Sequence, residues 1–144
     1  MQTWDYEEIF SDGDAYFLRI LSAMAQATQS IALETYIYEF DPLGKQILKA
    51  LKEAASRGLR VRLHIDGVGA VNWTRNDIQA VQDAGVEIQV YHPLPWQTGY
   101  IATGWLHWFP GVNQRDHRKF CIIDSNLAFV GGMNITAKHL RHFS

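Results

Sequence analysis

Between positions 117 and 134 the chain reads His117-Arg118-Lys119-Phe120-Cys121-Ile122-Ile123-Asp124-Ser125-Asn126-Leu127-Ala128-Phe129-Val130-Gly131-Gly132-Met133-Asn134. An imidazole, an ammonium and a carboxamide in one short stretch form a set whose chemistry fits a phosphate, lysine and asparagine supplying N–H donors for anionic oxygens.

Two apolar runs rich in Ile, Val and Phe flank Ser125-Asn126, a pattern that predicts a β-hairpin with a two-residue turn. That register sets Asp124 opposite Leu127, Lys119 opposite Gly132 and His117 opposite Asn134. Opposed residues project from one sheet face, and alternation puts His117 and Lys119 together on it. Gly131 and Gly132 then leave space and backbone donors beside the lysine. Arg118 points away. Asp124 has the other parity and is expected to brace the hairpin beside its turn.

The elements that must carry this stretch are legible upstream. Ser11-Asp12-Gly13-Asp14 has the form of a helix start, and Phe17, Leu18, Leu21, Met24, Ala25 and Thr28 follow at helical spacing, predicting a helix over 13–28. Residues 30–38 are β-branched and aromatic around Glu34, as in a strand near a sheet centre. Asp41-Pro42 opens a second helix, striped by Leu43, Ile47, Leu48, Leu51, Ala54 and Ala55 and stopped by Arg57-Gly58. A strand over 60–66, a helix over 74–84 and a strand over 86–91 complete the alternation. Strand, helix, strand, helix, strand implies parallel pairing with right-handed crossovers. The expected class is α/β, a mostly parallel mixed sheet flanked by helices and ending in the hairpin. From His92 to Asp116, Pro and Gly alternate with Trp96, Tyr100, Trp105, Trp108 and Phe109. Those aromatics either fill a core under the connection or form an apolar lip that meets lipid.

Apolar residues make up 47% of the 144 and no run is long enough to span a membrane, so a soluble globular domain is expected. Thirteen Lys plus Arg against fifteen Asp plus Glu leave a net charge of -2, which gives no field for holding a nucleic-acid backbone. Cys121 is the single cysteine, which excludes an intrachain disulfide and a Cys-based metal cluster and suits a buried thiol. His64, His92 and His107 read as structural or surface histidines. Gly67-Val68-Gly69 lacks the third glycine of a dinucleotide fingerprint and the lysine of a P-loop, so it reads as a strand-end turn. Glu34 either lines the site or is a hydrogen-bonded structural acid. Asp66 ends a strand on the side where parallel sheets place ligands.

The pattern His-x-Lys-x4-Asp-x6-Gly-Gly-x-Asn resembles the signature of the phospholipase D superfamily, with Gly132 where many members have Ser. Leu33-Glu34-Thr35-Tyr36-Ile37, Gly44-Lys45-Gln46, Ala54-Ala55-Ser56-Arg57-Gly58, Asp66-Gly67-Val68-Gly69 and Arg115-Asp116-His117-Arg118-Lys119 extend the likeness to the amino-terminal half of bacterial cardiolipin synthases. The resemblance implies a catalytic set of His117, Lys119, Asp124 and Asn134. His117 is then the nucleophile that forms a phosphohistidine, and Lys119 and Asn134 hold the non-bridging oxygens. Gly131, Gly132 and Arg115 assist phosphate binding, with Glu34 and Asp66 in support and no metal or cofactor.

A second histidine is required to protonate the leaving group, and in this superfamily it comes from another half of the polypeptide or from a twin subunit. Residues 1–144 are therefore expected to be one phospholipase D-like domain, the first part of a two-motif enzyme and inactive alone. The implied activity is phosphatidyl transfer from phosphatidylglycerol to make cardiolipin, at the bacterial cell membrane, peripherally and on the cytoplasmic side. The alternative is a homodimeric phosphodiesterase with one motif per subunit, which the charge balance disfavours as a nucleic-acid enzyme. A degenerate binding domain is a third reading, and the intact signature argues against it.

Overall fold

The computed structural model describes residues 3–98 and 117–143. Helix α1 (Gly13–Gln26) starts at the expected residue, although Ser11 does not cap it. Its cap is Asp12, which accepts the Asp14 N–H at 3.0 Å. Asp14 does not close a capping box, because its carboxylate accepts the amides of Arg141 and His142 at 2.9 and 2.6 Å. The helix also ends short of 28: the Arg57 guanidinium takes the carbonyls of Met24 and Ala27, and the Thr28 amide donates to Asp124. Helix α2 (Pro42–Ser56) is capped by Asp41, which accepts the Gly44 N–H at 2.9 Å, with proline in the first turn. Thr74 and Asp77 form a reciprocal capping box on α3 (Arg75–Asp83), which is shorter than the expected 74–84 because both end residues are caps. A short α4 (Pro95–Thr98) follows within the stretch where periodicity is lost.

Five strands form one mixed sheet in the order β3-β2-β1-β4-β5, comprising β1 (Ser30–Thr35), β2 (Arg60–Asp66), β3 (Glu87–Tyr91), β4 (Phe120–Ile123) and β5 (Leu127–Val130). The first three run parallel, β4 pairs antiparallel with β1, and β5 pairs antiparallel with β4. The strand carrying Glu34 is thus central. Alternation sends Ile31, Leu33, Val61, Leu63, Ile65, Cys121, Ile123 and Phe129 into one core with Phe17, Ile20 and Met24 of α1 and Leu43, Ile47 and Leu51 of α2. Each such side chain contributes about 1.5–3 kcal/mol by leaving water. Burial raises the Cys121 thiol to about 12. The other sheet face carries Glu34, Arg62, His64, Ile122, Ala128 and Val130.

The hairpin differs from expectation by one residue. Ile123 pairs with Leu127 and Phe120 with Val130, so the turn holds three residues, Asp124-Ser125-Asn126. Asp124 and Ser125 adopt left-handed backbone (φ 53° and 58°), and the Asp124 carboxylate turns out of the ladder toward the amides that open β1. Asp124 therefore does not oppose Leu127. The ladder stops at Phe120–Val130, so the expected oppositions of Lys119 with Gly132 and His117 with Asn134 do not form.

The central strand is also shorter than 30–38. Thr35 Oγ1 donates to the Ile37 carbonyl at 3.0 Å, a local bond that turns the chain out of the sheet. The emerging segment is held on both sides. Tyr38 N–H donates to the Gly69 carbonyl at 3.2 Å, while Ile135 N–H donates to the Ile37 carbonyl and Glu39 N–H to the Ile135 carbonyl, both at 3.0 Å. Trp73, fully buried, donates its indole N–H to the Tyr38 carbonyl at 3.1 Å and stacks on Phe40. Beyond β3, buried Gln97 donates to the carbonyls of Gly67 and Ala70 and accepts from Leu94, tying the connection to the turn after β2. Trp96 is exposed. Tyr100, Trp105, His107, Trp108, Phe109 and Arg115 lie outside the described residues. Among the described residues no helix is long and apolar enough to cross a membrane.

Candidate active site

His117 lies exposed just before β4, and its ring stacks on that of Tyr36 with centroids 4.1 Å apart and planes 28° from parallel. Lys119 folds back so that Nζ donates to the His117 carbonyl at 2.8 Å, placing the ammonium at the imidazole's own residue. At the other end of the signature, Asn134 Oδ1 accepts the Ile37 N–H at 2.9 Å. Adjacent residues of the β1 extension, Tyr36 and Ile37, thus gather His117 and Asn134. These contacts run through the segment just beyond the central strand and not through the cross-strand pairing that the hairpin pattern predicts. Because Oδ1 is engaged, the Nδ2 donor end of the amide faces away from the Ile37 N–H.

Asp124 is placed differently. At about 3.3 Å of rise per residue, β4 and its flanks separate it from His117 by roughly 20 Å. Its carboxylate accepts the N–H groups of Ser30 (3.0 Å), Thr28 (3.0 Å) and Gln29 (2.7 Å) and the Thr28 hydroxyl (3.3 Å). Those backbone donors, Ser30 foremost, hold its pKa below the usual carboxylate range. It fixes the start of β1 against the hairpin turn. Gly131 and Gly132 open onto free space among the described residues and line a groove of about 650 Å³ between β5 and the N-terminal segment, beside Trp4, Ile9 and Phe10.

Glu34 is buried on the sheet face away from the core, level with His64 on β2 and Phe120 on β4. Its carboxylate meets Arg118 Nε at 2.8 Å and His64 Nδ1 at 3.7 Å. Arg118 is anchored there, which steadies the residue between His117 and Lys119. Asp66, fully buried, accepts the amides of Val68 (2.9 Å) and Gly69 (3.1 Å) and so shapes the strand-end turn. That turn presses on the β1 extension: a Cβ at Gly69 would lie 1.9 Å from the Tyr36 carbonyl oxygen. Sequence reasoning read His64 as structural or surface, and it named Tyr36 only within the stretch Leu33–Ile37 that carries the family likeness.

Residues 20–143 match the family model described as cardiolipin synthase, PLD-like domain. Cardiolipin synthase B of Salmonella typhi is 33% identical over 136 residues, covering 94% of this chain and 31% of the relative. Cardiolipin synthase 1 of Bacillus cereus is 35% identical over 133 residues, covering 92% of this chain and 24% of the relative. The chain thus spans less than a third of the length of these curated relatives. Among solved structures it is similar to Nuc, a phospholipase D family member from Salmonella typhimurium, with TM-score 0.54, 27% identity and coverage of 83% of this chain and 64% of that one. With a family model that matches most of its residues and a shared fold, the chain belongs to the family described as cardiolipin synthase, PLD-like domain.

Proposed function

We propose that this chain supplies one half of the active site of a phosphatidyltransferase that makes cardiolipin from phosphatidylglycerol. The observation that carries the reading is the gathering of His117, Lys119 and Asn134 at the carboxyl end of β1, through Tyr36, the His117 carbonyl and Ile37. In the first step a ring nitrogen of His117 bonds to the lipid phosphorus and the P–O bond to the terminal glycerol breaks. Lys119 and the Asn134 amide hold the non-bridging oxygens as charge builds. The departing glycerol oxygen takes its proton from a second histidine. In the next step a glycerol hydroxyl of another phosphatidylglycerol attacks the phosphorus, yields its proton to that histidine, and the P–N bond breaks to restore His117.

The chain contains one His-x-Lys, so the second histidine comes from another part of a longer polypeptide or from a twin subunit. Residues 1–144 are then the first motif-bearing domain of a two-motif enzyme, without turnover on their own. The enzyme works on phospholipid as a peripheral protein at the cytoplasmic side of a bacterial membrane. Supporting this reading are the relatives' identity over nearly all of the chain and the assembled donors.

A second reading, phosphodiester cleavage by a homodimer with one motif per subunit, is favoured by the likeness to Nuc, of which the chain covers 64%. The net charge of -2 weighs against a nucleic-acid substrate. Incubating the full-length protein and its His117→Ala variant with phosphatidylglycerol vesicles, and separately with DNA, decides between them. Cardiolipin formed by the wild type alone is expected. DNA cleavage without lipid product would favour the second reading.

A further inference from the structure

We infer that Tyr36 is a positioning residue for His117, with its ring acting as a fixed platform that sets the imidazole plane. The inference rests on the reading of His117 as nucleophile. The two rings are stacked, with centroids 4.1 Å apart and planes 28° from parallel. A nitrogen lone pair lies in the plane of an imidazole, so covering one ring face leaves the attacking edge open. The stack therefore limits rotation of His117 without blocking it. This matters because His117 is exposed and precedes β4, where no ladder bond holds it.

A platform serves only if it is itself held, and Tyr36 is held from both sides. On one side Gly69 approaches so closely that a Cβ there would meet the Tyr36 carbonyl carbon at 2.6 Å as well as its oxygen. That turn is fixed in turn by Asp66, through the Val68 and Gly69 amides. On the other side the Ile37 amide is bound by Asn134 Oδ1 and the Ile37 carbonyl by the Ile135 N–H. Tyr36 therefore sits between two segments, one of which carries the asparagine of the signature. Motion of this residue would shift the nucleophile and its clamp together. The platform is the aromatic face, so phenylalanine should serve in its place and leucine should not.

The test uses full-length protein with ¹³C-labelled histidine, the His117 ring signals being assigned by their loss in His117→Ala. In the wild type, cross-relaxation between the Tyr36 and His117 ring protons is expected, a measurement that needs no variant. The His117 ring protons should lie upfield from ring current, stay there in Tyr36→Phe and move downfield in Tyr36→Leu. With phosphatidylglycerol as substrate, Tyr36→Leu should lose about tenfold in kcat, the fold-change equivalent of one ring-stacking contact, with KM within about twofold. Tyr36→Phe should retain wild-type kcat. Absence of cross-relaxation in the wild type overturns the inference, as does a Tyr36→Leu enzyme with displaced His117 signals and undiminished kcat. If wild-type protein makes no cardiolipin, the functional reading fails while the spectroscopic arm still decides whether the platform exists.

Discussion

Gly69→Ala, compared with Gly58→Ala, separates the geometry of the site from the stability of the fold. A methyl at Gly69 would stand 1.9 Å from the Tyr36 oxygen, 2.6 Å from its carbonyl carbon and 3.2 Å from the Ile37 nitrogen. Ordinary contact begins near 3.4 Å, so the two backbones must part by about 1.5 Å. The turn resists, because Asp66 holds the Val68 and Gly69 amides, and so the β1 extension moves with Tyr36 and Ile37. Overpacking of this kind costs about 1–3 kcal/mol of stability. Misplacing a reacting group by about 1 Å costs up to roughly 100-fold in rate.

Gly58 has φ +89°, and a methyl placed there would meet no neighbour within 4 Å, so alanine is strained by about 1 kcal/mol without touching the site. Both variants should lower Tm by a few degrees. Only Gly69→Ala should also lose about 10- to 100-fold in kcat, read as phosphatidyl transfer from labelled phosphatidylglycerol by the full-length enzyme. If Gly69→Ala kept kcat within about threefold of Gly58→Ala, the claim that the β1 extension positions the nucleophile would fail.

Two further outcomes follow from the fold. Asp124 is held ionised by backbone donors, with a folded pKa below its ordinary value, so its contribution to stability is complete above about pH 4 and is lost as pH falls through the folded pKa. Thermal melts of wild type and Asp124→Asn should therefore differ by a constant Tm gap from pH 7 to about pH 5, and the gap should close in stronger acid; a gap that widened on acidification would contradict the assignment. Cys121 is buried with its thiol raised to about 12, so Ellman's reagent should leave it unmodified in native protein and react fully in denaturant. Rapid native labelling would mean that β4 opens readily.

Much of the frame was legible because its signals are local. Asp41-Pro42 announces its helix by a side chain that reaches its own first turn. Alternation over Arg60–Asp66 places every second residue in the core, and the strand has the expected bounds. The hairpin register was not legible, since Asp124 and Ser125 take left-handed backbone in a turn stabilised by amides far away in sequence, at 28–30. The same holds for the site. The residue types of His117, Lys119 and Asn134 fit a phosphate, but the contacts of His117 and Asn134 are with Tyr36 and Ile37, which periodicity places inside a strand. Thr35 turns those two residues out of the sheet by a single side-chain bond. Glu34 could be read as site-lining or structural from sequence. Its contacts with Arg118 and His64 require the register between β1, β2 and the segment leading into β4.

The central claim is that His117 carries the phosphatidyl group between donor and acceptor. Its most direct test is to quench the full-length enzyme within its first turnover of phosphatidylglycerol and to map the covalent adduct by peptide mass spectrometry. A phosphatidyl adduct on His117 is expected, acid-labile and stable in base as a phosphoramidate should be, and absent from His117→Ala. Turnover proceeding with no adduct on His117, or with the adduct on another residue of this chain, would contradict it.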